Sequence, residues 1–388
     1  MGFPFGTATI QRQIQIAKSL IQADFRVIVI NKRSAHSKSI SKREKILFHG
    51  LHEGVEYIYS SLITYKPTNF FLRNAFKFIG IINEFFIILY YRLFKNAKYL
   101  LYRANELGSS KYYYFISKMF KLKIVYDYVE FYDSLGNRNK KNLKDLDKSF
   151  DYEFHKYTDK VIVISDFLEN HVKNIAPAKP IIKIPPTIDF SYFDSITNKI
   201  KGNPFFLFCG SANYEDIIMY IIKAFIKSNA IPNNYELKLI INGSPNQLDQ
   251  LDQYIKKIKL EKNIEIMSGL SYFDLVSYYK SAKALLIPIG SSIQDQARFP
   301  FKICEYTASK RPIITSNSGA VMEFFEHNVN AYIAKTDIIE DFAANLNSVI
   351  EKPKYADEIG LNGYKLGKKI FNFQTYSKNL NLFITNEN

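Results

Sequence analysis

The sequence predicts an α/β protein of two doubly wound domains, and three observations predict it. Short apolar runs alternate with helix-period stretches along both halves of the chain. The alternation pauses in a proline-containing stretch, 185–204. At 388 residues, 47% of them apolar, the chain can hold two ordinary domains with substantial cores.

The second half is the tidier. Runs at 205–209, 237–241, 264–267, 284–288, 313–315 and 331–333 read as strands, with helices such as 216–228 and 272–281 between them. Strands separated by helices of this length describe a parallel sheet with both faces covered. In the first half, 27–30, 99–103, 123–126, 161–165 and 181–184 read as strands, and 9–22, 107–120 and 146–158 as helices. A helical stretch from Asp357 onward is long enough to pack back across a domain junction. The boundaries expected are 1–195 for the first domain, 196–365 for the second and 366–388 for the returning helix. The opening MGFPFGTATIQRQ already reads as a glycine-containing loop leading into a helix. A doubly wound domain places a buried strand before such a loop. Either the chain starts at an internal methionine or its sheet lacks that strand.

Charge is uneven. Residues 1–200 hold 31 Lys and Arg against 18 Asp and Glu, and the whole chain has a formal charge of +15. A basic half suits an anionic partner: nucleic acid, an anionic membrane surface or a phosphorylated substrate. No zinc-finger, RNP-type or helix-turn-helix pattern accompanies it, which argues against nucleic acid. The excess instead surrounds an aromatic stretch, FFLRNAFKFIGIINEFFIILYYRLFKNAKYLLYR (residues 70–103), with Arg73, Lys77, Arg92, Lys95 and Lys98 inside it. Glu84 interrupts its apolar run, so the stretch suits an interfacial helix or a core helix better than a membrane span. No basic-then-apolar leader with a small-residue cleavage site opens the chain. The two cysteines, Cys209 and Cys304, lie in apolar runs and read as buried thiols of a reducing cytoplasm. Asp145-x-Asp147 sits in a charged helical stretch and reads as a solvated face rather than a metal site.

The segment RFPFKICEYTASKRP, residues 298–312, carries the most chemistry. Pro300 suits the first helical position. Ile303, Cys304, Thr307 and Ala308 form an apolar stripe, and Lys302 and Glu305 share the opposite side. The helix lies between two predicted strands, where doubly wound sheets bind ligands. Its N-terminus and Lys302 suit phosphate, and Glu305 can accept hydrogen bonds from a ribose. A plain Lys–Glu surface pair is the alternative.

The longer run FPFKICEYTASKRPIITSNSGAVMEFF resembles the donor-site segment of family-4 retaining glycosyltransferases, in their bacterial surface-polysaccharide branch. The matching residues are Phe299, Pro300, Lys302, Glu305, Pro312, Gly319 and Glu323. Gly6, Thr7, Ala8 and Arg12 resemble that family's N-terminal glycine loop, and IPPTIDFSYF and LFCGSANYEDI its linker entry and first donor-domain strand. The resemblance implies the GT-B fold: two Rossmann-like doubly wound domains facing a central cleft, with a C-terminal helix crossing back. It implies retaining transfer from a nucleotide diphosphate sugar to a lipid-linked or oligosaccharide acceptor, with no metal or other cofactor. Glu305 would hold the ribose, and Gly6, Thr7, Gly210 and Ser211 would approach the donor. Lys302 and the amides of Gly319, Ala320 and Val321 would face the diphosphate and sugar. The family's two-glutamate motif has its first Glu where this chain has Ala297, and Glu215 and Asp216 stand where relatives carry a lysine. Arg298 is then the candidate for the missing positive charge.

On the acceptor side, VYDYVEFYDS follows a predicted strand and offers Asp127, Glu130 and Asp133; Glu130 is the expected acceptor-orienting group or base. Approach to the inner face of the cytoplasmic membrane fits the basic half. A sugar-nucleotide epimerase of the same shape and a non-catalytic nucleotide-sugar-binding subunit remain alternatives.

Overall fold

The computed structural model describes residues 2–6, 8–135, 141–197 and 200–386. The chain divides into two compact units, Met1–Ile188 with Phe373–Asn388, and Asp189–Asn372.

The first unit contains strands β1 (Ile28–Asn31), β2 (His49–His52), β3 (Val55–Tyr59), β4 (Tyr99–Tyr102), β5 (Lys123–Tyr128), β6 (Lys160–Val163) and β7 (Ile181–Lys183). They form two sheets, ordered β1-β3-β2 and β4-β5-β6-β7. Every pairing is parallel except β2 with β3. That hairpin is absent from the sequence reading. Its signal is the alternation of buried Val55, Tyr57 and Tyr59 behind a two-residue turn, Glu53-Gly54, with both φ positive. The helix Ala8–Gln22 buries Ile10, Ile14 and Ala17 on the small sheet, and Ile16 and Leu20 beside Val125, Ile162 and Ile184. The helix Ser377–Thr385 closes this second cluster with Leu380 and Ile384. Lys160 fixes its end, donating to the Phe383 carbonyl at 2.6 Å.

The helix Phe70–Phe94 starts at Asn69, whose side chain accepts from the Leu72 amide. It buries only Gly80, Glu84 and Ile88. Glu84 therefore faces inward, at 3.7 Å from Lys32 and accepting from the Tyr113 hydroxyl at 2.9 Å. With that charge turned to the core, the outer face is apolar: Phe71, Phe78, Ile82, Phe86, Leu93 and Phe94 are all exposed. Among the described residues no helix is long and apolar enough to cross a membrane.

The second unit holds β8 (Phe205–Ser211), β9 (Glu236–Asn242), β10 (Ile264–Met267), β11 (Ala284–Ile287), β12 (Ile313–Ser316) and β13 (Tyr332–Ala334) in one parallel sheet, ordered β10-β9-β8-β11-β12-β13. Its strands read as near-continuous apolar runs because helices cover both faces. One large cluster fills one side, from Phe206, Ile221 and Phe225 to Leu346 and Ile359. Successive strands step outward from β8 in one direction and from β11 in the other. The chain therefore reverses between these two strands, and their carboxyl ends open a crevice.

Candidate functional site

Residues from three loops gather at that reversal. Gly210 and Ser211 end β8, half-buried, and the Ser211 hydroxyl accepts from the Asn213 amide at 3.3 Å. After β11 come the helices Ile293–Ala297 and Phe301–Ala308. After β12 comes the 3-10 turn Gly319–Glu323. Gly319 has φ +50°, and a Cβ there would lie 2.7 Å from the Asp295 carbonyl oxygen, so only glycine fits. Ala320 and Val321 are buried by their side chains. The amides opening such a turn lack intrahelical acceptors, although that of Val321 reaches the Ser318 carbonyl at 3.3 Å.

The helix Phe301–Ala308 departs from its sequence reading in two ways. Pro300 is its cap (ψ 117°) rather than its first helical residue. It is also not amphipathic, because every residue from Ile303 to Ala308 is buried. Glu305, 4% exposed, is no surface partner of Lys302. Its two oxygens accept from the hydroxyls of Tyr272 at 3.0 Å and Tyr279 at 3.4 Å. Burial pushes the Glu305 carboxyl above its ordinary range, against the pull of Lys302 and the two phenols. Burial opposes the charge of Lys302 too, but Cys209 and Glu305 hold its ammonium above the ordinary value. Tyr272 lies almost flat on Tyr192, 5.5 Å between centroids and 14° between planes. Cys209 and Cys304 are both buried and are not joined in a disulfide.

Arg298 is engaged with Asp295 at 2.7 Å and lies over the Tyr214 ring. Its charge is thus partly neutralised within its own loop.

In the first unit, Gly6 ends a loop whose Phe3 is fully buried, just before the helix Ala8–Gln22. Thr7 lies outside the described residues. Arg12 does structural work that sequence reasoning gave it only through a motif. It pairs with Asp127 at 2.8 Å and donates to the carbonyls of Ile184 and Pro185 at 2.9 and 3.1 Å. Arg103 grips the same carboxylate from the other side. Burial alone would raise the Asp127 carboxyl, but the two guanidiniums hold it below the usual range. Asp127 is therefore a buried counter-ion. Glu130 stands half-buried in the loop after β5, and Asp133 is exposed.

Asp147 corrects the solvated-face reading of Asp145-x-Asp147: it is 2% exposed, whereas Asp145 is in solvent. One turn on, sequence reasoning missed Asp151. It is wholly buried, accepting from the Tyr128 hydroxyl at 2.9 Å and the Asp133 amide at 2.7 Å. Burial pushes its carboxyl up to about 7. The folded state then holds a proton that the unfolded chain releases near pH 4. Stability accordingly falls as pH rises from about 4 to about 7. Asp151→Asn removes this component, up to about 1.4 kcal/mol per pH unit. Urea midpoints at pH 5 and 7.5 measure it; an unchanged difference between the two would refute the assignment.

Residues 191–366 match the family model described as Glycosyl transferases group 1. The uncharacterized glycosyltransferase MJ1607 of Methanocaldococcus jannaschii is 30% identical over 126 residues, a match spanning 32% of this chain and 30% of that relative. Among solved structures, a glycosyltransferase from Rickettsia africae superposes with a TM-score of 0.71 at 18% identity, over 100% of this chain and 98% of that one. The sucrose-phosphate synthase of Thermosynechococcus elongatus gives 0.70 at 14% identity, covering 95% and 90%. Anabaena HepE, solved with UDP and glucose, gives 0.66 at 16% identity, covering 97% and 95%. The fold is GT-B, and the match to the group 1 glycosyl transferases lies in residues 191–366.

Proposed function

We propose that this chain is a retaining glycosyltransferase. It moves a sugar from a nucleotide diphosphate sugar to a lipid-linked or polysaccharide acceptor in bacterial surface-glycan synthesis. The observation that carries this reading is Glu305, a carboxylate buried beside the strand reversal and covered by phenol hydroxyls. Such a group is poised to accept from ribose hydroxyls in their place. Lys302 and the amides of the Gly319 turn supply positive potential for the diphosphate, the largest expected contribution to the rate. In the reaction the acceptor oxygen bonds to the anomeric carbon on the face the diphosphate leaves. The old carbon–oxygen pair goes to the β-phosphate, and the acceptor proton passes to that oxygen or to Glu130. Working at the inner face of the cytoplasmic membrane is supported by the exposed apolar face of the helix Phe70–Phe94 and the cations around it.

The test is a panel of nucleotide sugars, beginning with UDP-glucose because HepE was also solved with it. Product configuration is read by NMR. Glu305→Gln is expected to lower kcat/KM about 10- to 150-fold, the worth of a charged hydrogen-bond acceptor at roughly 1.5–3 kcal/mol. It weakens UDP and uridine alike, whereas Lys302→Ala weakens UDP far more. If Glu305→Gln binds both like the wild type, the donor-site reading is wrong. Conversion of the donor without an acceptor would favour the epimerase, and binding without turnover the non-catalytic subunit.

A further inference from the structure

A cavity of about 440 Å³ in the first unit is lined by Arg33, Ser34, Ala35, Lys66, Arg73 and Lys77. Arg33, Ser34 and Ala35 follow β1, and Lys66 lies in the connection after β3, so the cavity opens at the carboxyl side of the small sheet. The two connections are zipped together. The amides of Ala35 and His36 donate to the Thr64 carbonyl at 3.3 and 3.2 Å, and that of Lys66 to the His36 carbonyl at 2.9 Å. Arg73 and Lys77, one turn apart, come from the helix Phe70–Phe94. Four cations thus converge from three segments. Among the described residues none of their side chains is ion-paired. The nearby carboxylate of Glu84 is occupied by Lys32 and Tyr113. Like charges gathered without a counter-ion repel, and a multiply charged anion relieves that cost while forming charge-assisted hydrogen bonds.

Exposed apolar surface adjoins the cations. Phe70, Phe71 and Leu72 open the same helix at 60%, 80% and 54% exposure, and the Arg73 guanidinium lies over the Phe70 ring. A free phosphate would use the cations and leave these side chains in water. A phosphate ester of an apolar chain uses both.

We propose that this cavity holds the diphosphate of a polyprenyl carrier, with the exposed start of the helix taking the first prenyl units. The inference rests on the lipid-linked acceptor reading above and names its carrier class. The cavity belongs to the first unit, and Glu305 to the second.

The experiment titrates the full chain with farnesyl diphosphate, farnesol and inorganic pyrophosphate by calorimetry. Wild type is expected to bind farnesyl diphosphate more tightly than either fragment. Arg33→Ala and Lys66→Ala, both at exposed positions, should each weaken it about tenfold or more, the worth of one charge-assisted contact. Lys77→Ala should do the same. UDP affinity, measured on the same samples, should stay at the wild-type value and certifies their folding. Unchanged farnesyl diphosphate affinity in all three variants overturns the proposal. So does loss of binding to phosphatidylglycerol vesicles without loss of farnesyl diphosphate, which would make the cavity a headgroup patch, and so does pyrophosphate binding as tight as the ester. If wild type binds farnesyl diphosphate with this variant pattern but transfers no sugar, the enzyme reading fails and the cavity assignment stands.

Discussion

Glu130→Gln is expected to slow sugar transfer by roughly 10²–10⁴-fold, the usual contribution of a general base, while nucleotide affinity stays near that of the wild type. β5 delivers a run of carboxylates, but Asp127 is locked between Arg12 and Arg103. Asp151 is wholly buried, with both oxygens used. Asp133 is exposed to solvent. Glu130 is half-buried at the carboxyl side of the strand and belongs to the unit that does not carry Glu305. Its loss should therefore appear in kcat at saturating acceptor. Asp151→Asn should leave kcat in place in the same assay. Normal turnover with weakened UDP binding in Glu130→Gln would assign it to the donor instead.

Asp127→Asn is expected to destabilise the first unit by about 3–5 kcal/mol, the cost of leaving buried charge without its counter-ion. Arg12 is 3% exposed, and the Arg103 side chain 12%. Without the carboxylate two guanidiniums face each other out of water. The effect also has a pH signature. Because the folded carboxyl lies below its ordinary range, its stabilisation is present above the unfolded value near pH 4. It is lost as pH falls through the folded value. Wild type should therefore lose stability on acidification through this group, and Asp127→Asn should lack that component. Urea unfolding at pH 3.5 and 7 would show it; a variant as stable as wild type at pH 7 would contradict the ion-pair account.

Much of the second unit was legible because its strands are short, continuous apolar runs between helices of ordinary length. The strand at Ile264–Met267 and the helix Tyr272–Ser281 fall where periodicity places them. The β2–β3 hairpin escaped because β2, His-Gly-Leu-His, has almost no apolar signal and is half in solvent. Lys302 and Glu305 were legible as residue types and spacing, but their environment was not. A helical wheel puts Lys302 and Glu305 on a polar face only when the helix has one. Here neighbouring elements cover all sides, and the phenols that cap Glu305 come from a helix some thirty residues earlier in sequence. The same limit hid the burial of Asp147 and of Asp151, the latter bonded to Tyr128 of β5. Glu84 shows the converse: in sequence it interrupts an apolar run, while in space it faces Lys32 and leaves that run whole.

The helix Ser377–Thr385 gives the protein a calendar. The ribosome finishes every residue of the second unit before it has made the helix that completes the first. Until Leu380 and Ile384 emerge, Ile16, Leu20, Val125, Ile162 and Ile184 have no cover for one side of their cluster. Domains fold as units during synthesis, and exposed apolar surface invites aggregation. The earlier-translated unit is thus the later one to mature, and a nascent chain stalled near its end would present a finished second unit behind an unfinished first. Chaperone demand during translation should concentrate on the N-terminal segment and end with the last turns of the tail.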